Sequence, residues 1–215
     1  MAAVTEYEYQ GPKRGADRAV LLAHGAGADM RSATMTTVTD ALADAKIPSL
    51  RFNFPYRSAG RRAPDRPAAL EAAVREAAAQ LATRTKLPLD RLVVGGRSMG
   101  GRICSMIAAE DGALGVVLLG YPLHPPGKPE TLRVEHFPNL RVSVLFASGT
   151  RDAFGTPAEL ERHAKKIHGP VTFHWIESAD HGFKPLKSSG ITQADALAGV
   201  ATAVVAFVRR FPAAK

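Results

Sequence analysis

Short apolar runs alternate along this chain with longer stretches in which apolar residues recur at helical spacing. The apolar runs are four to six residues long and mostly lack polar alternation, which is typical of strands buried on both faces of a sheet. Thr5–Gln10 alternates more and is predicted to form an edge strand. The predicted buried strands are Ala19–Ala23, Ser49–Phe54, Arg91–Val94, Gly115–Leu119, Val142–Ala147 and Val171–Ile176.

Helices are predicted between these strands and after the last one. Pro67–Thr83 is the clearest, because a proline begins it and Leu70, Val74 and Leu81 recur at helical spacing. The alternation of strands and helices predicts an α/β fold with a largely parallel sheet and helices on both faces. Because ligands of such sheets bind outside the carboxyl ends of the strands, the chemistry is expected at that edge. The predicted helices are Met30–Ala45, Pro67–Thr83, Ser98–Glu110, Pro157–His168 and Thr192–Phe211.

The composition is ordinary for a globular chain and narrows the function classes. A length of 215 residues suits a single domain, predicted to span residues 1–215, and 46% hydrophobic with 22% charged residues argues against disorder. The single cysteine, Cys104, excludes an intramolecular disulfide and a Cys-rich zinc site. The first ten residues carry no secretory signal, and no apolar run approaches the roughly 20 residues of a membrane span. We therefore expect a cytoplasmic location and no membrane partner.

The net charge of +8 raises the question of an acidic partner. The basic segment Arg57–Arg66 lies beside no recognisable nucleic-acid-binding module, so we interpret it as a solvated loop and expect no nucleic acid. Gly25 and Gly27 resemble the start of a dinucleotide-binding motif, but Met30 occupies the third glycine position and no acidic residue follows about 20 residues later. We predict no cofactor and no metal. The oligomeric state stays open.

The strongest local signal is the segment Gly95–Arg102, which reads GGRSMGGR. A predicted strand enters it and a predicted helix leaves it, which is the context of a nucleophile elbow. In such an elbow the serine sits on so sharp a turn that the residues two before and two after it must be small. Gly96 and Gly100 occupy these positions around Ser98. The alternative interpretation is a glycine-rich loop with an incidental serine.

A serine hydroxyl needs a base within hydrogen-bond reach, and the base needs an orienting carboxylate. His181 follows the last predicted strand, and Asp152 follows the strand before it, so both are expected at the same edge of the sheet. The chain order Ser98, Asp152, His181 is that of α/β-hydrolases. Asp180 competes with Asp152, but adjacent side chains on an extended loop diverge, so we favour Asp152.

The oxyanion of an acyl-transfer reaction needs fixed hydrogen-bond donors. We predict the backbone N–H groups of Met99, which follows the nucleophile, and of Ala26 in the loop after the first central strand, with Gly27 in reserve. His24 is interpreted as a residue that orients this loop. The predicted walls of the substrate pocket contain Phe54, Tyr56, Tyr121 and His124.

Six segments, HGAGADM, FNFPY, GGRSMGGR, GYPLHPPGKPE, GTRDAFG and ADHGF, occur in this order. Together they resemble a small family of α/β-hydrolases without a lid. That family includes dienelactone-hydrolase-like proteins, the testis-expressed hydrolase-like protein and the hydrolase-like region of an NSL-complex subunit. The resemblance covers roughly residues 15–185. It implies an α/β-hydrolase fold with Ser98 as nucleophile, Asp152 as acid and His181 as base. Dienelactone hydrolases proper use a cysteine nucleophile where this chain has Ser98.

These observations predict a serine hydrolase that cleaves a small-molecule ester or thioester. The segment Gly120–Arg141 is too short and too rich in proline to form a helical cap over the site. Two alternatives remain open: an interaction protein that retains a hydrolase fold, as some relatives are thought to be, and a peptidase.

Overall fold

The computed structural model describes residues 5–12 and 14–213. A seven-stranded sheet runs through the molecule in the order β1-β3-β2-β4-β5-β6-β7. The edge strand β1 pairs antiparallel with β3, and every other pairing is parallel. The strands are β1 (Tyr7–Gln10), β2 (Ala19–Ala23), β3 (Ser49–Phe52), β4 (Leu92–Arg97), β5 (Gly115–Leu119), β6 (Ser143–Gly149) and β7 (Val171–Ile176).

Helices connect these strands. They are α1 (Ala33–Asp44), α2 (Pro55–Ser58), α3 (Pro67–Thr85), α4 (Met99–Asp111), α5 (Pro157–Ala164) and α6 (Gln193–Arg209). Short 3-10 turns cover Leu89–Arg91, Phe137–Asn139 and Lys187–Ser189. Among the helices of the described residues, none is long and apolar enough to cross a membrane.

Two apolar layers cover the sheet, one on each face. Successive residues of β2 point to opposite faces, so Leu21 packs into the layer beneath α3 and α4, whereas Leu22 packs into the layer beneath α1 and α6. All residues of β2 and β5 are buried. The predicted α/β class, with a mostly parallel sheet covered on both faces, is confirmed.

Most elements lie where the sequence places them. The bounds of β2, β5 and β7 match the prediction, and the predicted edge strand is the antiparallel β1. The tetrapeptide helix α2 was not predicted. Strand β4 runs on to Arg97, three residues beyond the predicted end at Val94. A Cβ on Gly95 would overlap the carbonyl oxygen of Val117 on the neighbouring strand, so this glycine serves close strand pairing rather than a turn.

Helix α6 covers Gln193–Arg209 instead of Thr192–Phe211, and two other helices are each four residues shorter than predicted. Helix α1 begins at Ala33 instead of Met30, because the Met30 amide donates to Asn53 Oδ1 at 2.9 Å and the chain turns there. Helix α5 ends at Ala164 instead of His168, because the His168 amide donates to the carbonyl oxygen of Leu140 at 3.0 Å. Both corrections come from hydrogen bonds to residues distant in sequence, which helical periodicity does not reveal.

Candidate active site

Ser98 lies on a sharp turn between β4 and α4. Its backbone has φ 50° and ψ −117°, a region that residues other than glycine rarely adopt. A Cβ on Gly96 or on Gly100 would overlap the carbonyl oxygen of Ala23 at the end of β2. The turn therefore has the geometry predicted for a nucleophile elbow, and both flanking glycines are needed because β2 lies directly against it.

The structure brings Ser98, His181 and Asp152 into one hydrogen-bonded chain. Ser98 Oγ lies 3.0 Å from His181 Nε2, and His181 Nδ1 lies 2.7 Å from Asp152 Oδ2. An ionised carboxylate only accepts hydrogen bonds, so Nδ1 carries the proton and the Nε2 lone pair faces the serine hydroxyl. This tautomer is the one in which a histidine can take a proton from serine.

Asp152 and Asp180 lie in different environments. Asp152 is 1% exposed, and its Oδ1 accepts a hydrogen bond from the Phe154 amide at 2.8 Å. The Asp180 carboxylate accepts from the amides of Gly182 and Lys184 at 2.8 and 3.0 Å. Asp180 therefore stabilises the turn that carries His181, whereas Asp152 contacts the imidazole ring itself.

Two residues that sequence reasoning missed surround the His181 ring. Phe154 stacks on it, with ring centroids 4.1 Å apart. Arg97 Nη1 lies 3.3 Å from His181 Nε2, and the same guanidinium donates to the carbonyl oxygens of His181 and Leu119. It also lies 4.9 Å from the ring centroid of Phe183. Burial lowers the pKa of Arg97 to about 10, which leaves it a cation at neutral pH. The one signal in the sequence is its place directly before Ser98.

Ala26 and Met99 line the same cleft as Ser98. Neither N–H donates a hydrogen bond within residues 5–12 and 14–213. Two hydrogen bonds stabilise the loop that carries Ala26. His24 Nε2 accepts from the Phe54 amide at 3.1 Å, and the Tyr56 hydroxyl donates to the Ala26 carbonyl oxygen at 2.9 Å. Burial lowers the pKa of His24, which favours the neutral ring that this contact requires. His24 thus orients the loop, as predicted.

The cleft beside Ser98 has a volume of about 540 Å³. Its lining residues come from the loop after β2, the elbow and the start of α4, the segment between β5 and β6, and the loops after β6 and β7. The lining residues are Gly25, Ala26, Gly27, Ala28, Arg97, Ser98, Met99, Arg102, Pro122, Arg133, Phe154 and His181.

The predicted pocket walls are wrong at Phe54, Tyr56, Tyr121 and His124. None of the four lines the cleft, and all four are buried. Phe54 and Tyr56 turn inward and pack edge-on against the His24 ring. Tyr121 packs against aromatic core side chains, and His124 Nε2 lies 3.6 Å from a carboxylate oxygen of Glu159. Aromatic rings at these strand ends bury more surface in the core than a cleft wall would allow.

Cys104 lies on α4, away from the cleft lining. The side chain is fully buried, and burial raises the pKa of its thiol to about 12. The thiol is therefore protonated at neutral pH and has no access to substrate, in agreement with its interpretation as core packing.

A parallel sheet with a strained serine elbow, a histidine and a carboxylate at its carboxyl edge defines the α/β-hydrolase class. Residues 16–209 match the alpha/beta hydrolase domain family known as Abhydrolase_11, and the chain belongs to that family.

Solved structures with the same fold include three that share at most 20% sequence identity with this chain. A dienelactone hydrolase from Anabaena variabilis superposes with a TM-score of 0.72 at 20% identity, covering 96% of this chain and 92% of that one. A serine hydrolase without a lid from Xanthomonas campestris gives 0.67 at 17%, covering 97% and 91%. A serine hydrolase homologue from Coxiella burnetii gives 0.66 at 17%, covering 96% and 90%. The kinship with the testis-expressed and NSL-complex proteins stays a prediction.

Proposed function

We propose that this chain is a serine hydrolase that cleaves a small carboxylic ester or thioester through an acyl-enzyme intermediate. The observation that carries the proposal is the hydrogen-bonded chain from Ser98 Oγ to His181 Nε2 and from His181 Nδ1 to Asp152. Its support comes also from the family, whose fold places a serine at this elbow.

In the proposed mechanism Ser98 Oγ attacks the carbonyl carbon of the substrate while His181 Nε2 takes its proton. The amides of Ala26 and Met99 donate to the oxyanion that forms. The buried Asp152 carboxylate stabilises the imidazolium and holds the ring in place. When the carbon–oxygen or carbon–sulfur bond breaks, His181 returns the proton to the leaving group. A water then hydrolyses the acyl-enzyme with His181 again acting as base.

The proposed substrates are small. Between β5 and β6, the described chain holds only the 3-10 turn Phe137–Asn139, so no helical cap rises over Ser98. Each methylene group removed from water contributes about 0.8 kcal/mol, but only where a wall receives it. We expect kcat/KM for p-nitrophenyl esters to rise from acetyl to about butyryl and then to level off or fall.

The test measures kcat/KM with p-nitrophenyl esters from acetyl to palmitoyl for the wild type, Ser98→Ala and Ser105→Ala. Ser105 is the matched control, since it lies on α4, the helix that follows Ser98, but is buried away from the cleft. Ser98→Ala should lose on the order of 10³-fold or more in activity, as for members of a cooperating triad. Full activity in Ser98→Ala would contradict the proposal, and a folded wild type without activity on any ester would favour an interaction protein.

The buried, unpaired Cys104 fits a reducing compartment, and the cytoplasm is our proposed location.

A further inference from the structure

Three arginines line the cleft, and within the described residues none of them pairs with a carboxylate, although buried arginines are usually paired. Within residues 5–12 and 14–213, neither Arg102 nor Arg133 takes part in an ion pair, although both are partly buried and both line the cleft beside Ser98. The arginines that do pair with a carboxylate are Arg18, Arg31, Arg51, Arg57, Arg61 and Arg75.

The backbone of Arg102 lies close to Ser98. It lies one helical turn after Ser98, and its amide donates to the Ser98 carbonyl oxygen at 3.0 Å. Its Nε is buried and has no hydrogen-bond partner among the described residues. A buried donor without a partner costs free energy unless a ligand supplies the acceptor. Arg102 thus adds a positive charge to the lining of the cleft that holds Ser98, and one of its N–H donors is unsatisfied.

Arg133 approaches from the segment between β5 and β6. Its Nη1 donates to the Pro122 carbonyl oxygen at 3.3 Å, and the Tyr121 hydroxyl donates to the Arg133 carbonyl oxygen. Burial and the neighbouring Arg102 charge lower the pKa of Arg133, so the two cations lie close enough to repel each other. The nearby Glu135 is exposed and pairs with neither arginine.

The other cation of the cleft is already engaged. Arg97 donates to the carbonyl oxygens of Leu119 and His181, so N–H groups of its guanidinium are already hydrogen-bonded to the backbone. His136, which borders Arg102, has its pKa lowered to about 4 by burial first and by the Arg102 charge second. It is neutral at physiological pH. Arg102 and Arg133 are therefore the cations of this site that remain for a ligand.

We propose that Arg102 and Arg133 form an anion subsite, and that the substrate is an ester or thioester carrying a carboxylate or phosphate group near the scissile bond. The proposal rests on the proposed function of Ser98 and gives it a substrate class. Guanidinium groups match these oxyanions with paired N–H donors, and the interaction is strong where water is partly excluded. An anion bound between the two arginines also removes their mutual repulsion.

The experiment compares anionic esters with neutral partners of similar size by acid release at pH 7.5. Monomethyl glutarate, with a carboxylate on the acyl side, is compared with dimethyl glutarate. An ester with a phosphate on the alcohol side, 2-acetoxyethyl phosphate, is compared with propyl acetate. The wild type should prefer at least one anionic ester by tenfold or more in kcat/KM, and the preferred ester identifies which anion and which side the subsite serves.

The variants Arg102→Gln and Arg133→Gln should each reduce that preference at least fivefold, and the double variant should bring it close to one. Arg209→Gln is the control for net charge, because Arg209 is exposed at the end of α6, away from the cleft lining. Equal kcat/KM for anionic and neutral esters in the wild type would overturn the anion subsite while leaving a serine hydrolase. So would a preference that survives in the double variant.

Binding to Ser98→Ala separates this proposal from the proposed function. Calorimetry should detect monomethyl glutarate or 2-acetoxyethyl phosphate binding to Ser98→Ala, and at least tenfold weaker binding of the same ester once Arg102→Gln is added. If that binding pattern appears but the wild type hydrolyses no ester, the proposed function fails and the anion subsite stands. If Ser98→Ala binds neither anionic ester more tightly than its neutral partner, the anion subsite is overturned. A melting temperature for each variant identifies any that fail to fold.

Discussion

The two sides of the cleft hold Ser98 and His181 by different means. On one side, Ser98 is placed by backbone sterics, since Gly96 and Gly100 lie against the carbonyl oxygen of Ala23 with no room for a Cβ. On the other side, His181 is placed by side chains, namely Asp152, Asp180, Phe154 and Arg97. The first arrangement tolerates no added atom, whereas the second consists of separate contacts that can be removed one at a time. Substitutions on the two sides should therefore fail in different ways.

The largest effect is expected from Gly96→Ala. The added Cβ overlaps backbone atoms of β2, and the residue has φ 155°, so the turn cannot form without separating β4 from β2. We expect loss of folded protein or a very large drop in melting temperature, measured by circular dichroism. Gly199→Ala is the matched control, because its Cβ meets only His174 Nε2 at 3.7 Å within helix α6. It should stabilise the protein by about 0.5–1 kcal/mol. A folded, active Gly96→Ala would contradict the steric account of the elbow.

The next largest effect concerns the two neighbouring carboxylates. Asp152→Asn should reduce kcat by roughly 10⁴-fold, because an amide favours the wrong imidazole tautomer. Asp180→Asn keeps an oxygen that accepts from the turn amides and removes only the charge, so a much smaller loss in kcat is expected, with a modest fall in melting temperature. The measurement is steady-state kinetics on both folded variants. The reverse ranking would assign the acid role to Asp180.

Arg97→Lys tests the side-chain support of His181 alone. Lysine keeps the charge but lacks the planar fork that reaches the carbonyl oxygens of Leu119 and His181. A small misplacement of the imidazole should lower kcat by about 10- to 100-fold with little change in KM. Arg91→Lys is the control, since Arg91 also bridges two carbonyl oxygens, those of Asp17 and Pro212, outside the cleft. Equal kcat and KM in the two variants would show that Arg97 does not position His181.

The smallest effect is a pH dependence of stability on the elbow side. His136 Nε2 lies 2.8 Å from Ser105 Oγ on α4, and burial, aided by the Arg102 charge, lowers its pKa from 6.5 to about 4. The unfolded chain binds a proton at this histidine between these pH values and the folded chain does not. The free energy of unfolding is therefore unaffected by His136 above pH 6.5 and falls as the pH drops towards 4. The expected fall between pH 7 and 5.5 is about 1 kcal/mol.

Urea unfolding at these two pH values checks this contribution, with His136→Gln as the variant that cannot titrate. The fall in unfolding free energy should be smaller in His136→Gln than in the wild type. An identical fall in both proteins would show that acid acts elsewhere.

The two sides also differ in how far the sequence predicted them. The elbow was predictable because a serine with glycines two residues before and two residues after it, between a strand and a helix, is a characteristic pattern. Asp152 and His181 were identified from their places after β6 and β7, since parallel strands end at one edge. Arg97 and Phe154 were missed because their roles depend on which way a side chain turns in three dimensions.

The prediction of the residues that form the cleft walls was wrong for the same reason. FNFPY begins at the last residue of β3 and GYPLH directly follows β5, at the edge where the site lies. Their aromatic rings nevertheless pack into the core, and the cleft is lined instead by Pro122, Arg102 and Arg133. Position along the chain predicts which loops surround a parallel sheet's active edge. It does not predict which side chains of those loops face the cleft.

The central claim is that Ser98 is a reactive nucleophile, and covalent labelling tests it most directly. A fluorophosphonate should add once to the native protein, and peptide mass spectrometry should find the adduct on the peptide that contains Ser98. Labelling should be lost in Ser98→Ala and retained in Ser105→Ala. An adduct on another serine, or no adduct on a protein shown to be folded, would contradict the account.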